Sequence, residues 1–175
     1  PWTASTDPGV LLNSFRSWGN GGGFGATYDV ASHWSNRNFD GSTVGLAWVG
    51  VICSSFRYNV LQDFSSTAWR LRVLQSHELG HNFDANHDGS GSNFIMAHSI
   101  NNSKTWSAAS IASINAHVQN RINSGCVTPC ASGVPPVADF TSNIQNGCAE
   151  LTVDFIDNST DATGWSWTFE GGVPG

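Results

Sequence analysis

The sequence predicts an α+β domain followed by a short all-β segment, and three observations carry that prediction. A histidine motif with helical spacing, His77-Glu78-Leu79-Gly80-His81, sits between an upstream apolar strand candidate and a downstream amphipathic helix. The strand candidate, Thr43 to Ile52, is almost continuously apolar. Beyond Cys126 the texture changes to proline and glycine turns followed by aromatic residues at period two.

From the N-terminus, Val10, Leu11, Phe15 and Trp18 recur at helical spacing, so a helix is expected over Gly9 to Trp18. The glycine-rich run from Gly19 to Gly25 must end it, because glycine is the costliest ordinary residue in a helix interior. Tyr28 to Trp34 and Thr43 to Ile52 read as strands, with Asp40-Gly41 as a turn between them. The motif helix is expected to start near Ser65, Ser66 or Thr67, all competent N-caps, and to stop near Phe83. Leu71, Leu74 and Leu79 should anchor it in the core. A last helix is expected from Ser107 to Asn123, where Ile111, Ile114, Val118 and Ile122 form an apolar stripe and Gly125 marks the stop. Three further strand candidates follow, at Val137 to Phe140, Leu151 to Phe155 and Trp165 to Phe169. They are too few to close a sandwich alone. The expected division is therefore a domain over residues 1–128, a linker over 129–135 and a truncated β unit over 136–175.

Composition narrows the function classes. The chain has 175 residues, of which 39% are hydrophobic, enough for a core. Charged residues make up only 11%, and the formal net charge is −6, which excludes a nucleic-acid partner because nothing would neutralise a phosphate backbone. No apolar run reaches membrane-spanning length. The chain begins at Pro1 without Met, so a processed start leaves export open. Four cysteines, Cys53, Cys126, Cys130 and Cys148, allow three pairings, and an oxidising compartment is expected. A Cys53–Cys126 bridge would enclose the histidine motif, worth about 4.5 kcal/mol by loop entropy, and a Cys130–Cys148 bridge about 3 kcal/mol. Cys148 reads equally as a free buried thiol.

The motif carries chemistry. On a helix, residues four apart lie on one face, so His77 and His81 can share one metal ion with Glu78 beside them. His87 follows six residues later as a third imidazole. Three protein ligands leave one position of a tetrahedral zinc open for water, which distinguishes a catalytic site from a closed structural one. For a bare HExxH the plain alternative is a surface helix with two histidines. Here Asp88 follows His87 directly, and Met96 lies in the run Asn93-Phe94-Ile95-Met96-Ala97, which extends the motif. His33 and His117 read as ordinary histidines, and His98 as a loop residue.

His77 to Asp88, HELGHNFDANHD, resembles the zinc-binding consensus of adamalysin- or reprolysin-like metzincins, zinc proteases with a methionine turn below the metal. The likeness extends over about Asp7 to Cys126. Phe39 to Gly50 is similar to the edge strand beside that family's cleft, Phe94-Ile95-Met96 to its Met-turn, and Thr105-Trp106-Ser107 to the lead-in of its last helix. The resemblance implies a Cys53–Cys126 disulfide. It implies one catalytic zinc held by His77, His81 and His87, with Glu78 as the general base that takes the proton of a zinc-bound water. It also implies Met96 as a floor, Asp88 as a structural residue, and Val44, Gly45, Leu46, Ala47 and Trp48 as the strand that receives a protein or peptide substrate. A pocket behind the metal should be shaped by Ala97 to Ile100.

The segment from Pro135 to Gly175 is similar to the start of a PKD domain, through Pro136-Val137-Ala138-Asp139-Phe140, Gly147-Cys148, Leu151-Thr152-Val153 and Trp165-Ser166-Trp167-Thr168-Phe169. Such modules follow catalytic domains of secreted bacterial proteases, so a secreted, bacterial, monomeric endopeptidase is the expectation, its tail free to contact protein or polysaccharide. Two departures from the family pattern stand out. Asp84 occupies the position of a glycine that turns the chain after the helix; Asp tolerates the left-handed region better than most residues. The family's N-terminal strands and first helix have no counterpart, so the chain reads as a fragment cut at both ends. Calcium is then unsupported, with Asp29 a leftover candidate for a site that is incomplete. The competing expectation is a non-catalytic, zinc-retaining scaffold that binds through its PKD-like tail.

Overall fold

The computed structural model describes residues 4–128, 137–147 and 150–160 and divides into two compact units, Pro1–Thr128 and Pro129–Gly175. The expected 129–135 linker, the Cys130–Cys148 pairing and the Trp165 to Phe169 strand lie outside the described residues.

The first unit begins with helix α1 (Pro8–Asn20). Asp7 starts it: its side-chain Oδ1 accepts hydrogen bonds from the Gly9 and Val10 amides at 2.7 and 3.0 Å, and Pro8 occupies the first turn, where its missing N–H is harmless. Three strands follow, β1 (Ala31–Ser35), β2 (Gly45–Ala47) and β3 (Tyr58–Gln62). They form one sheet in the order β1-β3-β2, with β1 parallel and β2 antiparallel to β3. Helices α2 (Ala68–Asn82) and α3 (Ala108–Asn123) complete the unit. Leu11, Leu12 and Phe15 of α1 pack with Tyr58, Val60 and Phe39 into one core cluster, while α2 packs against β2 and β3. At about 25 cal/mol per Å2 of buried apolar surface, each such side chain contributes roughly 1.5–3 kcal/mol.

Strand β3 has no counterpart among the strands expected from sequence. All five of its residues are buried, so the chain shows no alternation of polar and apolar positions. Its polar members are bonded inside: Gln62 Oε1 accepts from the Phe39 amide at 2.8 Å, and the Asn59 side-chain amide donates to Asn82 Oδ1 at 2.7 Å, while Asn59 Oδ1 is left without a partner. Asn82, fully buried at the end of α2, in turn donates to the carbonyls of Trp48 and Tyr58, at 3.0 and 3.2 Å.

The apolar run from Thr43 to Ile52 forms a strand over only three residues, Gly45–Ala47. Gly50, at φ +68°, turns the chain out of the sheet. The Gly50 amide then donates to the His81 carbonyl, and the Val51 and Ile52 amides to that of Asn82, at 2.8, 2.9 and 3.2 Å. These carbonyls are ones a helix end leaves without intrahelical partners. The run is apolar because Ile52 is wholly buried where it closes α2, not because the strand is long. In α2, Val73 and Leu74 are buried while Leu71 and Leu79 are half-buried, so the anchoring residues differ in part from those expected. The stripe on α3 is likewise shallower than expected. Ile114 packs against the cluster of Ala85, Ile95 and Met96, but Ile111 stays 47% exposed. Cys53 and Cys126 form a disulfide with Cα atoms 6.2 Å apart, tying the start of the site-bearing segment to its end.

In the second unit, β4 (Phe140–Ser142) pairs antiparallel with β5 (Phe155–Asp157), with a bridge from Val137 to Thr160. The strand expected at Leu151 to Phe155 starts only at Phe155, and Phe140, Phe155 and Ile156 are exposed rather than half-buried.

Candidate metal centre

Helix α2 places His77 and His81 one turn apart, both buried. Each ring is oriented from behind. His77 Nδ1 meets the Ile95 carbonyl at 2.9 Å, and His81 Nδ1 the Ala85 carbonyl at 2.8 Å. A carbonyl accepts only, so both Nδ1 atoms carry the proton and both Nε2 lone pairs point the other way.

His87 Nε2 lies 3.0 Å from His77 Nε2 and 3.2 Å from His81 Nε2. Tetrahedral zinc at its usual bond length to nitrogen separates its ligands by about 3.3 Å. The three nitrogens therefore fit a single ion, and the three residues could hold a metal. Burial lowers the pKa of His77 and of His81, that of His81 to about 4, which favours the neutral, metal-binding form.

The turn that delivers His87 closes α2 in a Schellman motif. The Ala85 amide donates to the Gly80 carbonyl at 2.8 Å and the Asp84 amide to that of His81 at 2.9 Å. Asp84 holds the left-handed position at φ +80°, where glycine is usual, and its carbonyl accepts from Ser113 Oγ at 2.7 Å. Past His87, the Asp88 amide donates to the Met96 carbonyl at 2.8 Å. Asp88 Oδ1 accepts from Ser107 Oγ at 2.6 Å, and Ser107 itself caps α3. This chain of bonds joins the ligand turn, the Met96 loop and the last helix.

Met96 is wholly buried with Ala85 and Ile95, bordered by Trp106 and Ile114. A methyl group on Gly80 would come within 2.6 Å of Met96 Sδ and 2.8 Å of the Trp106 ring. The glycine inside the motif thus lets the methionine loop lie against α2, a role not read from sequence. Gly45 is similar on the other side, where a methyl group would collide with the Glu78 carboxylate and with Leu74. The carboxylate of Glu78 therefore rests against the edge strand. Burial alone raises its pKa to about 8, so with no cation beside it the group keeps its proton at neutral pH.

These residues open into a cleft of about 790 Å3. Val44, Gly45, Leu46 and Ala47 line one wall, and Ala97 to Ile100 line another. Trp48 does not line it; its ring packs toward the α1 core and stacks edge-on with Phe56. Phe64 and Arg70 line the cleft without having been singled out in the sequence. His98 is exposed, its ring centroid 4.5 Å from that of His87. Asp29 lies by the disulfide, where its carbonyl accepts from the Cys53 amide at 2.9 Å.

Comparison with known proteins places this geometry in a family. A reprolysin profile described as Metallo-peptidase family M12 matches residues 2–117. A zinc metalloproteinase-disintegrin-like protein of Cerberus rynchops is 38% identical over 81 residues, covering 45% of this chain and 13% of the relative. Zinc metalloproteinase-disintegrin-like atrase-A of Naja atra is 37% identical over 84 residues, covering 47% of this chain and 14% of the relative. The chain therefore spans only a small part of either curated relative. Neither source organism supports a bacterial origin. A solved structure titled "Structure of a chaperone-substrate complex" superposes with a TM-score of 0.48 at 17% identity, over 66% of this chain and 25% of that one, too distant to carry an argument. On the family match, which covers well over half of its length, the chain belongs to metallo-peptidase family M12.

Proposed function

We propose that this chain is a zinc-dependent metalloendopeptidase domain that hydrolyses peptide bonds in proteins. The observation that carries the reading is the convergence of three imidazole Nε2 atoms with the Glu78 carboxylate at the base of an open cleft. When bound, zinc supplies Lewis-acid polarisation of the scissile carbonyl and lowers the pKa of a coordinated water. His77, His81 and His87 would hold the ion. The two backbone carbonyls behind His77 and His81 fix which nitrogen faces it. Glu78 takes a proton from the attacking water and passes it to the leaving amine. Its pKa is about 8 without a metal, and a nearby divalent charge would lower it and ready the group as a base.

Met96 is the apolar floor, and Asp88 is the brace between the ligand turn and α3. Asp84 shapes the turn that delivers His87. The substrate backbone lies along β2, which among the described residues pairs only with β3 and so has a free edge toward the cleft. The disulfide and the curated relatives support an extracellular setting. The second unit serves as a PKD-like accessory that contacts protein or polysaccharide, and the catalytic unit acts as a monomer.

Glu78→Gln tests the reading. It should leave zinc content unchanged and lower kcat/KM on an unfolded protein substrate by about 100-fold or more, since positioned acid–base groups contribute roughly 10²–10⁴. Chelation should abolish turnover in the parent chain, and added zinc should restore it. Turnover that survives both treatments would sink the proposal, and full zinc occupancy without any turnover would favour the scaffold reading.

A further inference from the structure

The face of α2 that borders the cleft does not begin at His77. Arg70, Leu74, His77, Glu78 and His81 follow the three-and-four spacing of one helix face, and all five line the same cleft. Arg70 is the only lysine or arginine among the described residues lining it. That is notable in a chain with only 7 such residues and a net charge of −6. Its guanidinium lies by the Trp69 ring, with the charge centre 5.3 Å from the ring centroid. Among the described residues no carboxylate pairs with it, and the side chain is exposed to the cleft solvent.

The seven-residue step along the helix from Arg70 to His77 covers about 10 Å of its axis. An extended peptide advances about 3.3 Å per residue. A substrate lying along β2 would thus bring a side chain some two to four residues from the metal under the guanidinium. Phe64 and Val44 line the same cleft, and the Gln62 amide donates to the Val44 carbonyl at 2.7 Å, so β3 supports the wall at Val44. Apart from the proposed metal, Arg70 is the one permanently cationic side chain among the described residues lining the cleft, in a chain of net charge −6.

We infer that Arg70 makes the cleft select peptides that carry an acidic side chain about two to four residues from the bond to be cut. The inference rests on the proposed proteolytic reading and adds a substrate class to it. The contact is solvated, so its energy is modest and salt-dependent. Arg70 acts by binding substrate and takes no part in the proton transfers.

The test uses a set of otherwise identical peptides with Glu, Gln or Lys at each position around the cleavage site. At low salt the Glu peptide should be cut about fivefold better than the Lys peptide at one position, through KM rather than kcat, and the ratio should shrink at high salt. Arg70→Glu should invert the order, whereas Arg70→Ala should flatten it. The same series is read by fluorescence anisotropy on the zinc-loaded Glu78→Gln chain, whose turnover should be about 100-fold slower or more. An absent preference, or one that Arg70→Glu leaves in place, overturns the inference. Acid-selective binding with no cleavage of any peptide keeps Arg70 in its role and removes the hydrolytic reading instead.

Discussion

The two halves of the metal centre are held by different means. His77, Glu78 and His81 project from a regular helix into the interior, and backbone carbonyls orient both rings. His87, Asp88 and Met96 come from irregular chain, and the ring of His87 is exposed. Their placement depends on a Schellman turn, one short Ser107–Asp88 hydrogen bond and the packing of a single methionine. The helical half has precise geometry and carries an electrostatic penalty. The loop half depends on packing and backbone conformation, although burial and His98 also lower the pKa of His87.

Three measurements would break or sharpen this contrast. The largest effect belongs to the helical half of the metal-free protein. The folded-state pKa of Glu78, about 8, lies above its ordinary value of 4.5, so its contribution to stability is fully present below pH 4.5. It is lost as pH rises through about 8. The loss amounts to roughly 4–5 kcal/mol at most, at about 1.4 kcal/mol for each tenfold change in proton affinity. His81, lowered to about 4, runs the other way and loses its contribution as pH falls from 6.5 through that value. Urea unfolding of the chelated parent and of Glu78→Gln across this range separates the two. The difference between the proteins should grow toward high pH, and a constant difference would remove the electrostatic penalty from the helical half.

The next effect belongs to the loop half. Met96→Ala should destabilise the chain by about 2–5 kcal/mol, because the side chain is wholly buried between Gly80, Ala85 and Trp106. Thermal unfolding measures it, and zinc affinity should fall with it as the His87 loop loosens. A Met96→Ala protein of unchanged stability would show that the loop is held by its hydrogen bonds alone.

The smallest effect isolates the turn. Asp84→Gly and Asp84→Ala both lose the carboxylate, but only glycine relaxes the left-handed backbone at φ +80°. The glycine variant should be the more stable of the two by about 1 kcal/mol. Equal stabilities would mean that the backbone strain is absorbed elsewhere.

The same contrast explains what the sequence disclosed. The candidate metal-binding face was legible because helical spacing and donor chemistry coincide in His77, Glu78 and His81. Helices α1, α2 and α3 fell close to their expected bounds for a related reason, the helical recurrence of their apolar or histidine positions, although Asp7, which caps α1, was not singled out in the sequence and Thr67 makes no side-chain capping bond. The central strand β3 was hidden because its burial on both faces erases alternation, and because Asn59 and Gln62 look like surface residues until their buried partners are known. The overlong Thr43–Ile52 strand came from reading hydrophobicity as strand length, whereas its second half closes a helix end. Gly80 could not be assigned from sequence because its reason is the absence of a side chain opposite Met96, a contact made only once the chain has folded back on itself.

Asn82 gives the cleft its aperture. One short amide spans the gap from helix to sheet, reaching Asn59 and Tyr58 of the central strand and Trp48 beside the edge strand, while its own carbonyl receives the chain that leaves that strand. The distance between the strand wall of the cleft and the helix that carries His77 and His81 is therefore gauged by the reach of a single side chain. A longer residue there would pry the two apart and rotate His81 with the helix end, so the width of the mouth and the spacing of the three imidazoles cannot be adjusted independently.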